Sequence, residues 1–347
     1  MTDFAAADTV TGRAHVDRGA PVLEVSNLKT YLYTRWGVTK AVDDVSFELY
    51  SGETLGIVGE SGSGKSMLAL SLVRLTPEPA SRIESGRIVL NGRDLLVLSE
   101  REMRKMRGKE ISMILQDPQQ SLNPVFTIGN QLTEAIRAHD SVAGGDEVRR
   151  RALAALESVQ LPAPESRLRN YPHEISGGMK QRVVGAMALA FQPQVLIADE
   201  PTTALDVTIQ AQYLRLLEEL QAQTGVSIIL ITHDFGVVAE TCDRVAVMYA
   251  GRIVEQGPVD EIFDNPRHPY TKALLESRPR IDLVAERLPS IDGQPPALHD
   301  LPGGCRFAPR CAYATDQCRA AYPDAINCNE QHIVACWRVG ELLWPHP

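Results

Sequence analysis

Gly59, Ser61, Gly62, Ser63, Gly64, Lys65 and Ser66 fall within one run, Gly59-Glu60-Ser61-Gly62-Ser63-Gly64-Lys65-Ser66, that fits the pattern G-x-x-x-x-G-K-[ST]. The spacing suits phosphate. Glycines let successive backbone N–H groups turn inward, Lys65 has the reach to meet β- and γ-phosphates, and the Ser66 hydroxyl is a ligand for Mg²⁺. Residues 54–58 before the run are apolar and read as a buried strand, and residues 67–73 after it read as a helix. A helix start at this place adds the positive end of its dipole to the anion site.

Other groups are delivered at predicted strand ends. Residues 195–198 are apolar and lead into Asp199-Glu200, which describes a central strand presenting carboxylates at its carboxyl end. Asp199 fits a Mg²⁺ partner, and Glu200, pointing elsewhere, fits a base that orients and deprotonates an attacking water. Gln116 ends the strand predicted at 111–115, and His233 ends the one predicted at 226–231, where it can contact a γ-phosphate. Ser176-Gly177-Gly178 opens a predicted helix with a plausible N-cap and two small residues, a second anion site. Tyr31-Leu32-Tyr33-Thr34-Arg35-Trp36 concentrates aromatics upstream of the phosphate run; it reads equally as a base-stacking platform and as a partly buried hairpin.

The positioning elements are therefore strands and helices in alternation, an α/β arrangement. A chain of 347 residues exceeds most single cores, so a large domain with a smaller one is expected. Its net charge of −9 argues against a nucleic-acid partner, and the basic runs at 101–109 and 149–151 read as solvated helix faces. No apolar run approaches the roughly 20 residues that span a bilayer. Residues 1–20 lack a signal-peptide core and read as a disordered tail, so a cytoplasmic protein is expected, reaching a membrane only through a partner.

Taken in order, the phosphate loop, Gln116, Ile175-Ser176-Gly177-Gly178-Met179, the acidic strand ending at Glu200, Ala204-Leu205-Asp206 and His233 resemble the ATP-binding subunits of ABC transporters. The resemblance implies a P-loop NTPase fold. It comprises a RecA-like core with an antiparallel β subdomain, a helical subdomain at about 117–190, an ATP-binding domain over 21–265, and a C-terminal domain over 266–347 ending in a small cysteine-rich cap. It implies ATP and Mg²⁺, with Ser66, Gln116 and Asp199 around the metal. It also implies head-to-tail pairing in which Ser176, Gly177, Gly178 and the D-loop Asp206 complete the partner's site. Tyr31 is then the choice for stacking on adenine, with Tyr33 and Trp36 as fallbacks. The signature departs from L-S-G-G-Q at its two ends, Ile175 and Met179.

Residues 116–124, 205–212 and 265–271 are similar to the dipeptide and oligopeptide importers. That resemblance implies an ATPase at the cytoplasmic face of the membrane. Its partners are a second ATP-binding subunit forming a heterodimer, two transmembrane permeases and an extracytoplasmic binding protein. Nickel complexes and glutathione are alternative cargoes; a non-transport ATPase acting on DNA or ribosomes is a more distant reading. Five of six cysteines crowd between 305 and 336 without a C-x-x-C pair, which argues for metal over disulfides in a reducing compartment and is compatible with an iron-sulfur cluster. The subfamily resemblance maps a [4Fe-4S] cluster onto Cys305, Cys311, Cys318 and Cys336, leaving Cys328 as an extra thiol.

Overall fold

The computed structural model describes residues 19–116, 121–140, 142–203, 205–277, 290–329 and 331–341. The predicted tail before residue 19, Asp117 to Gln120 beside the Gln116 loop, and Ala204 of the D-loop lie outside the described residues.

An antiparallel sheet begins the chain. β1 (Leu23–Thr34) and β2 (Gly37–Leu49) form a hairpin, and β4 (Ser81–Leu90) and β5 (Arg93–Asp94) complete the order β2-β1-β4-β5. Alternation along β1 and β2 buries Leu23, Val25, Leu28, Val45, Phe47 and Leu49 on one face. The strands run through the aromatic stretch, so Tyr31 lies in β1 and Trp36 at the hairpin turn.

The larger sheet is the frame for the site. Its order is β11-β12-β10-β9-β3-β8-β7-β6. β3 (Thr54–Val58), β6 (Ile111–Ile114), β7 (Val195–Asp199), β8 (Ser227–Ile231) and β9 (Arg244–Tyr249) pair in parallel. Every residue of β3, β7 and β8 is buried, which is why these strands are near-continuous apolar runs. β10 (Arg252–Pro258) turns back antiparallel on β9.

Helices cover this sheet. α1 (Lys65–Leu72) follows the phosphate run directly, and α2 (Glu100–Met106) is closed by a Ser99–Glu102 capping box. Between β6 and β7 lie α3 (Ile128–His139), α4 (Gly145–Ser158), α5 (Pro164–Arg167) and α6 (Gly177–Leu189), the expected helical subdomain. α7 (Val207–Thr224), α8 (Phe235–Thr241), α9 (Val259–Asp264) and α10 (Pro269–Glu276) follow. In the basic stretches, Arg107 is not merely solvated: it bonds Glu100 and the carbonyls of Val73 and Arg74, tying α2 to the end of α1.

The expected separate C-terminal cap is corrected by the packing. After α11 (Asp316–Ala320), β11 (Ile326–Asn327) and β12 (Ile333–Val334) extend the main sheet, with Val334 opposite Glu255 of β10. Phe307 is buried in the main core, its ring 5.3 Å from those of both Tyr249 and Tyr270. The cysteine-rich residues have too little apolar area to form a core alone and share that of the ATPase sheet. Phe307→Ala should therefore destabilise the main core, by about 3 kcal/mol, read as a lower denaturant midpoint of the whole sheet; an independently folding tail would leave that midpoint unmoved.

His268 is the N-cap of α10 and is fully buried, its Nδ1 accepting from the Tyr270 N–H. Burial lowers its pKa to about 4 from the ordinary 6.5, so the neutral form is the folded form. Its contribution to stability is complete above pH 6.5 and is lost as pH falls from there to about 4. Denaturant midpoints measured across that window should fall more steeply for the wild type than for His268→Gln.

Candidate functional site

Backbone geometry shapes the phosphate loop before any side chain acts. Gly59 has φ 153° and Gly64 has φ 105°, and a Cβ at either would meet a carbonyl oxygen, Met248 O at 2.1 Å or Ala41 O at 2.0 Å. Only glycine permits both the turn and the close passage under β2 and β9. Ser63 is buried and its carbonyl accepts from the Gly251 N–H at 2.8 Å. Lys65 folds back over the loop, its Nζ donating to Gly59 O at 2.7 Å and Glu60 O at 3.0 Å. Burial depresses its pKa, against the attraction of Glu200, Asp199 and Glu60.

The acidic residues separate as the strand alternation requires. Asp199, the last residue of β7, is 3 % exposed, and its pKa is raised chiefly by burial, a Ser66 hydrogen bond working the other way. Its Oδ1 is buried without a hydrogen-bond partner among the described residues. A buried carboxylate oxygen left open beside a serine hydroxyl fits a hard divalent cation.

Glu200 sits one residue on, with a positive φ of 46°. Such a backbone is costly for a non-glycine residue and is held here by the Glu200 N–H donating to Ile231 O at 2.9 Å. It turns the carboxylate into a cluster. Gln116 Nε2 donates to Oε2 at 3.0 Å, Thr203 Oγ1 donates to Oε2 at 2.9 Å, and His233 Nδ1 lies 3.2 Å from Oε1. Burial pushes the Glu200 pKa up, but the Thr203 hydroxyl and His233 more than reverse it and hold the group ionised. Three residues expected separately from sequence thus meet on one carboxylate. Thr203 is the member that the sequence did not single out.

Other expected residues stand elsewhere. Ser176 caps α6, its hydroxyl accepting from Met179 N–H, while a Cβ on Gly178 would meet Ile209 Cγ2 at 2.8 Å. Ser176, Gly177 and Gly178 make no hydrogen bond to the phosphate loop among the described residues. Asp206 caps α7 by accepting from Ile209 N–H at 3.0 Å. Tyr31 donates its hydroxyl to Asp43 at 2.6 Å and carries the Lys40 ammonium 5.9 Å from its ring centroid. Tyr33 is tied to Glu84, and Trp36 is exposed at 71 % under the Arg35 guanidinium.

Among the described residues, no three or more His, Cys, Asp or Glu side chains converge closely enough to hold a metal ion, so the expected cysteine ligand set is not gathered on one centre. Cys305, Cys311, Cys318 and Cys336 instead line one small cavity of about 20 Å³, partly open to solvent. Cys328 does not line it. Burial raises the thiol pKa of Cys305, Cys311 and Cys336, the last to about 12. Backbone N–H groups of Phe307, Ala308, Tyr313 and Arg338 point at these sulfurs and oppose that shift.

Fold and site together define a phosphate-loop ATPase: a glycine-walled loop at the head of a helix, an open buried carboxylate oxygen beside a serine, and a glutamate whose pKa its neighbours hold down. The model of the ABC transporter family matches residues 42–203, and that of the oligopeptide/dipeptide transporter C-terminal region matches residues 254–318. The dipeptide transport ATP-binding protein DppD of Bacillus subtilis is 51 % identical, covering 91 % of this chain and 94 % of its own. The oligopeptide transport ATP-binding protein OppD of the same organism is 50 % identical over 91 % of this chain and 88 % of its own. A dimeric ATP-binding cassette solved in a post-hydrolysis state with ADP and phosphate superposes with a TM-score of 0.61 at 26 % identity, over 68 % of this chain and 98 % of that one. The chain belongs to the ABC transporter ATP-binding family, in the branch that carries the oligopeptide/dipeptide transporter C-terminal region.

Replacing Thr203 by Val removes the donor that holds Glu200 down, so its pKa rises as burial dictates. The acidic limb of the ATPase pH profile should move to higher pH in Thr203→Val and stay in place in Thr203→Ser.

Proposed function

We propose that this chain is the ATP-hydrolysing subunit that powers uptake of dipeptides or oligopeptides across the cell membrane, docked on its cytoplasmic face. The carrying observation is the Glu200 cluster, with Gln116, Thr203 and His233 on one ionised carboxylate beside the open Asp199 oxygen. The peptide assignment is supported by the 50 % to 51 % identity to DppD and OppD along nearly the whole chain. Among the described residues no helix is long and apolar enough to cross a membrane, so the passage itself belongs to partners. Those partners are two permeases, a second ATP-binding subunit forming a heterodimer, and an extracytoplasmic binding protein.

In this reading Lys65 and the loop amides of Gly62, Gly64 and Lys65 bind the ATP phosphates, and Tyr31 stacks on the adenine. Ser66, Asp199 and Gln116 are the residues that would hold Mg²⁺, which supplies charge neutralisation as the terminal phosphate leaves. Glu200 takes the proton of the attacking water, with Gln116 and Thr203 fixing its free lone pairs and His233 contacting the γ-phosphate. Ser176 and Gly178 cover that phosphate from the partner subunit, with Gly177 and Asp206 at the same interface. A helix start that makes no hydrogen bond to its own chain's phosphate loop among the described residues is suited to an anion brought by another subunit.

The cavity of Cys305, Cys311, Cys318 and Cys336 fits a [4Fe-4S] cluster. Four thiols lining one cavity, with backbone N–H groups aimed at the sulfurs, are the donor set such a cluster takes. It supplies a fixed crosslink between the residues that hold it.

The test is ATP turnover of the chain assembled with its permeases, with and without peptide and binding protein. Glu200→Gln should lower turnover by roughly 10² to 10⁴-fold while ATP still binds. Peptide with its binding protein should stimulate the wild type. Turnover that survives Glu200→Gln removes Glu200 as the base, and turnover indifferent to every peptide removes the peptide assignment.

A further inference from the structure

Glu60 stands at an open position of the phosphate-binding pattern, yet three of its polar groups are held. Its N–H donates to the Tyr270 hydroxyl at 2.9 Å, and its carbonyl accepts from Lys65 Nζ at 3.0 Å. Its carboxylate accepts from both terminal nitrogens of Arg310, at 2.7 Å and 3.0 Å. Two parallel bonds from a planar guanidinium fix orientation as well as distance. The Arg310 side chain is only 4 % exposed and is held in turn by the carbonyls of Asp292 and Ile291.

Arg310 immediately precedes Cys311. The run from Cys305 to Cys311 is a series of tight turns, with Ala308 N–H on Cys305 O at 3.0 Å, Arg310 N–H on Phe307 O at 2.9 Å and Cys311 N–H on Ala308 O at 3.4 Å. Within it the roles alternate. Cys305 and Cys311 face the thiol cavity, and Phe307 is buried against Tyr249 and Tyr270. Arg306 pairs with Asp43, the acceptor of the hydroxyl of Tyr31, the residue proposed above to stack on adenine. A rigid turn whose cysteines wall the cavity and whose arginines grip the phosphate loop and the Tyr31 support transmits a displacement of one to the other.

We propose that residues 305–311 are a strap that shapes the nucleotide site, with Arg310 a positioning residue for Lys65 through Glu60, so that the state of the thiol cavity is read out as nucleotide affinity. The strap stands on the contacts above; only the identity of what fills the cavity rests on the cluster reading.

Equilibrium binding of MgADP to the purified full chain, by calorimetry, tests it. Arg310→Ala should weaken binding about tenfold, the loss of a part-buried charge-assisted pair. Arg310→Lys should fall between, since an ammonium cannot form the two-pronged contact. Glu60→Gln should weaken binding too, and the double variant should be no weaker than Arg310→Ala alone. Cys318→Ala, which alters the cavity lining outside the 305–311 run, should weaken MgADP binding in the wild type and have no further effect in Arg310→Ala. Normal MgADP affinity in a folded Arg310→Lys or Glu60→Gln protein overturns the strap, as do additive effects of Cys318→Ala and Arg310→Ala. Iron content of the same samples separates the two readings. Wild type free of iron with the coupling intact ends the cluster reading alone, and iron lost from Cys318→Ala with MgADP affinity unchanged ends the strap alone.

Discussion

The parallel register of β3, β8, β7 and β6 is the constraint on which the rest depends. Ile57 stands opposite Ile231, Asp199 opposite Ile231, and Ile114 opposite Ala198, so four strands stop at nearly one level. Parallel strands all present their carboxyl ends at the same edge, and the residue after each stop is therefore delivered to a common place. Val58 leads into the phosphate loop, Asp199 into Glu200, Ile231 toward His233, and Ile114 toward Gln116. A slip of one residue in any of these pairs turns the delivered side chain to the other face. The buried runs of Ile, Leu and Val in the strands are thus what aims the polar groups beyond them.

That frame explains why much of the site was legible in the sequence. The phosphate run has its own local geometry, and the acidic, glutamine and histidine residues each follow an apolar run whose end is easy to read. The six-part order from Gly59 to His233 identified the family on its own. Thr203 was not legible, because it joins Glu200 only through a positive φ that turns the chain after β7. Tyr31 was chosen as an aromatic; that its hydroxyl is tied to a buried aspartate depends on Arg306, 275 residues along.

The C-terminal region was the least legible part. The family resemblance set the cysteine cluster in a small cap at the end of a C-terminal domain. The structure folds that segment into the ATPase core instead, because the Phe307 ring packs against both Tyr249 of β9 and Tyr270 of α10, which themselves touch with centroids 4.4 Å apart. Spacing also left five thiols as candidates. The subfamily resemblance set Cys328 aside; in the structure it lies beside Arg267 and Glu255 and does not line the cavity that the other four line.

The two-residue strands that the C-terminus adds to the sheet do more than lengthen it. A sheet's outermost strand offers unpaired N–H and C=O groups, and a long flat one recruits other chains. Here β12 covers Glu255 and Gln256 of the seven-residue β10, and β11, the strand left outermost, is two residues long. At the opposite border β6 is four residues long. The C-terminal segment therefore works as a selvedge: it finishes the sheet against self-association, and a chain ending before Ile326 would expose β10 as a template for aggregation.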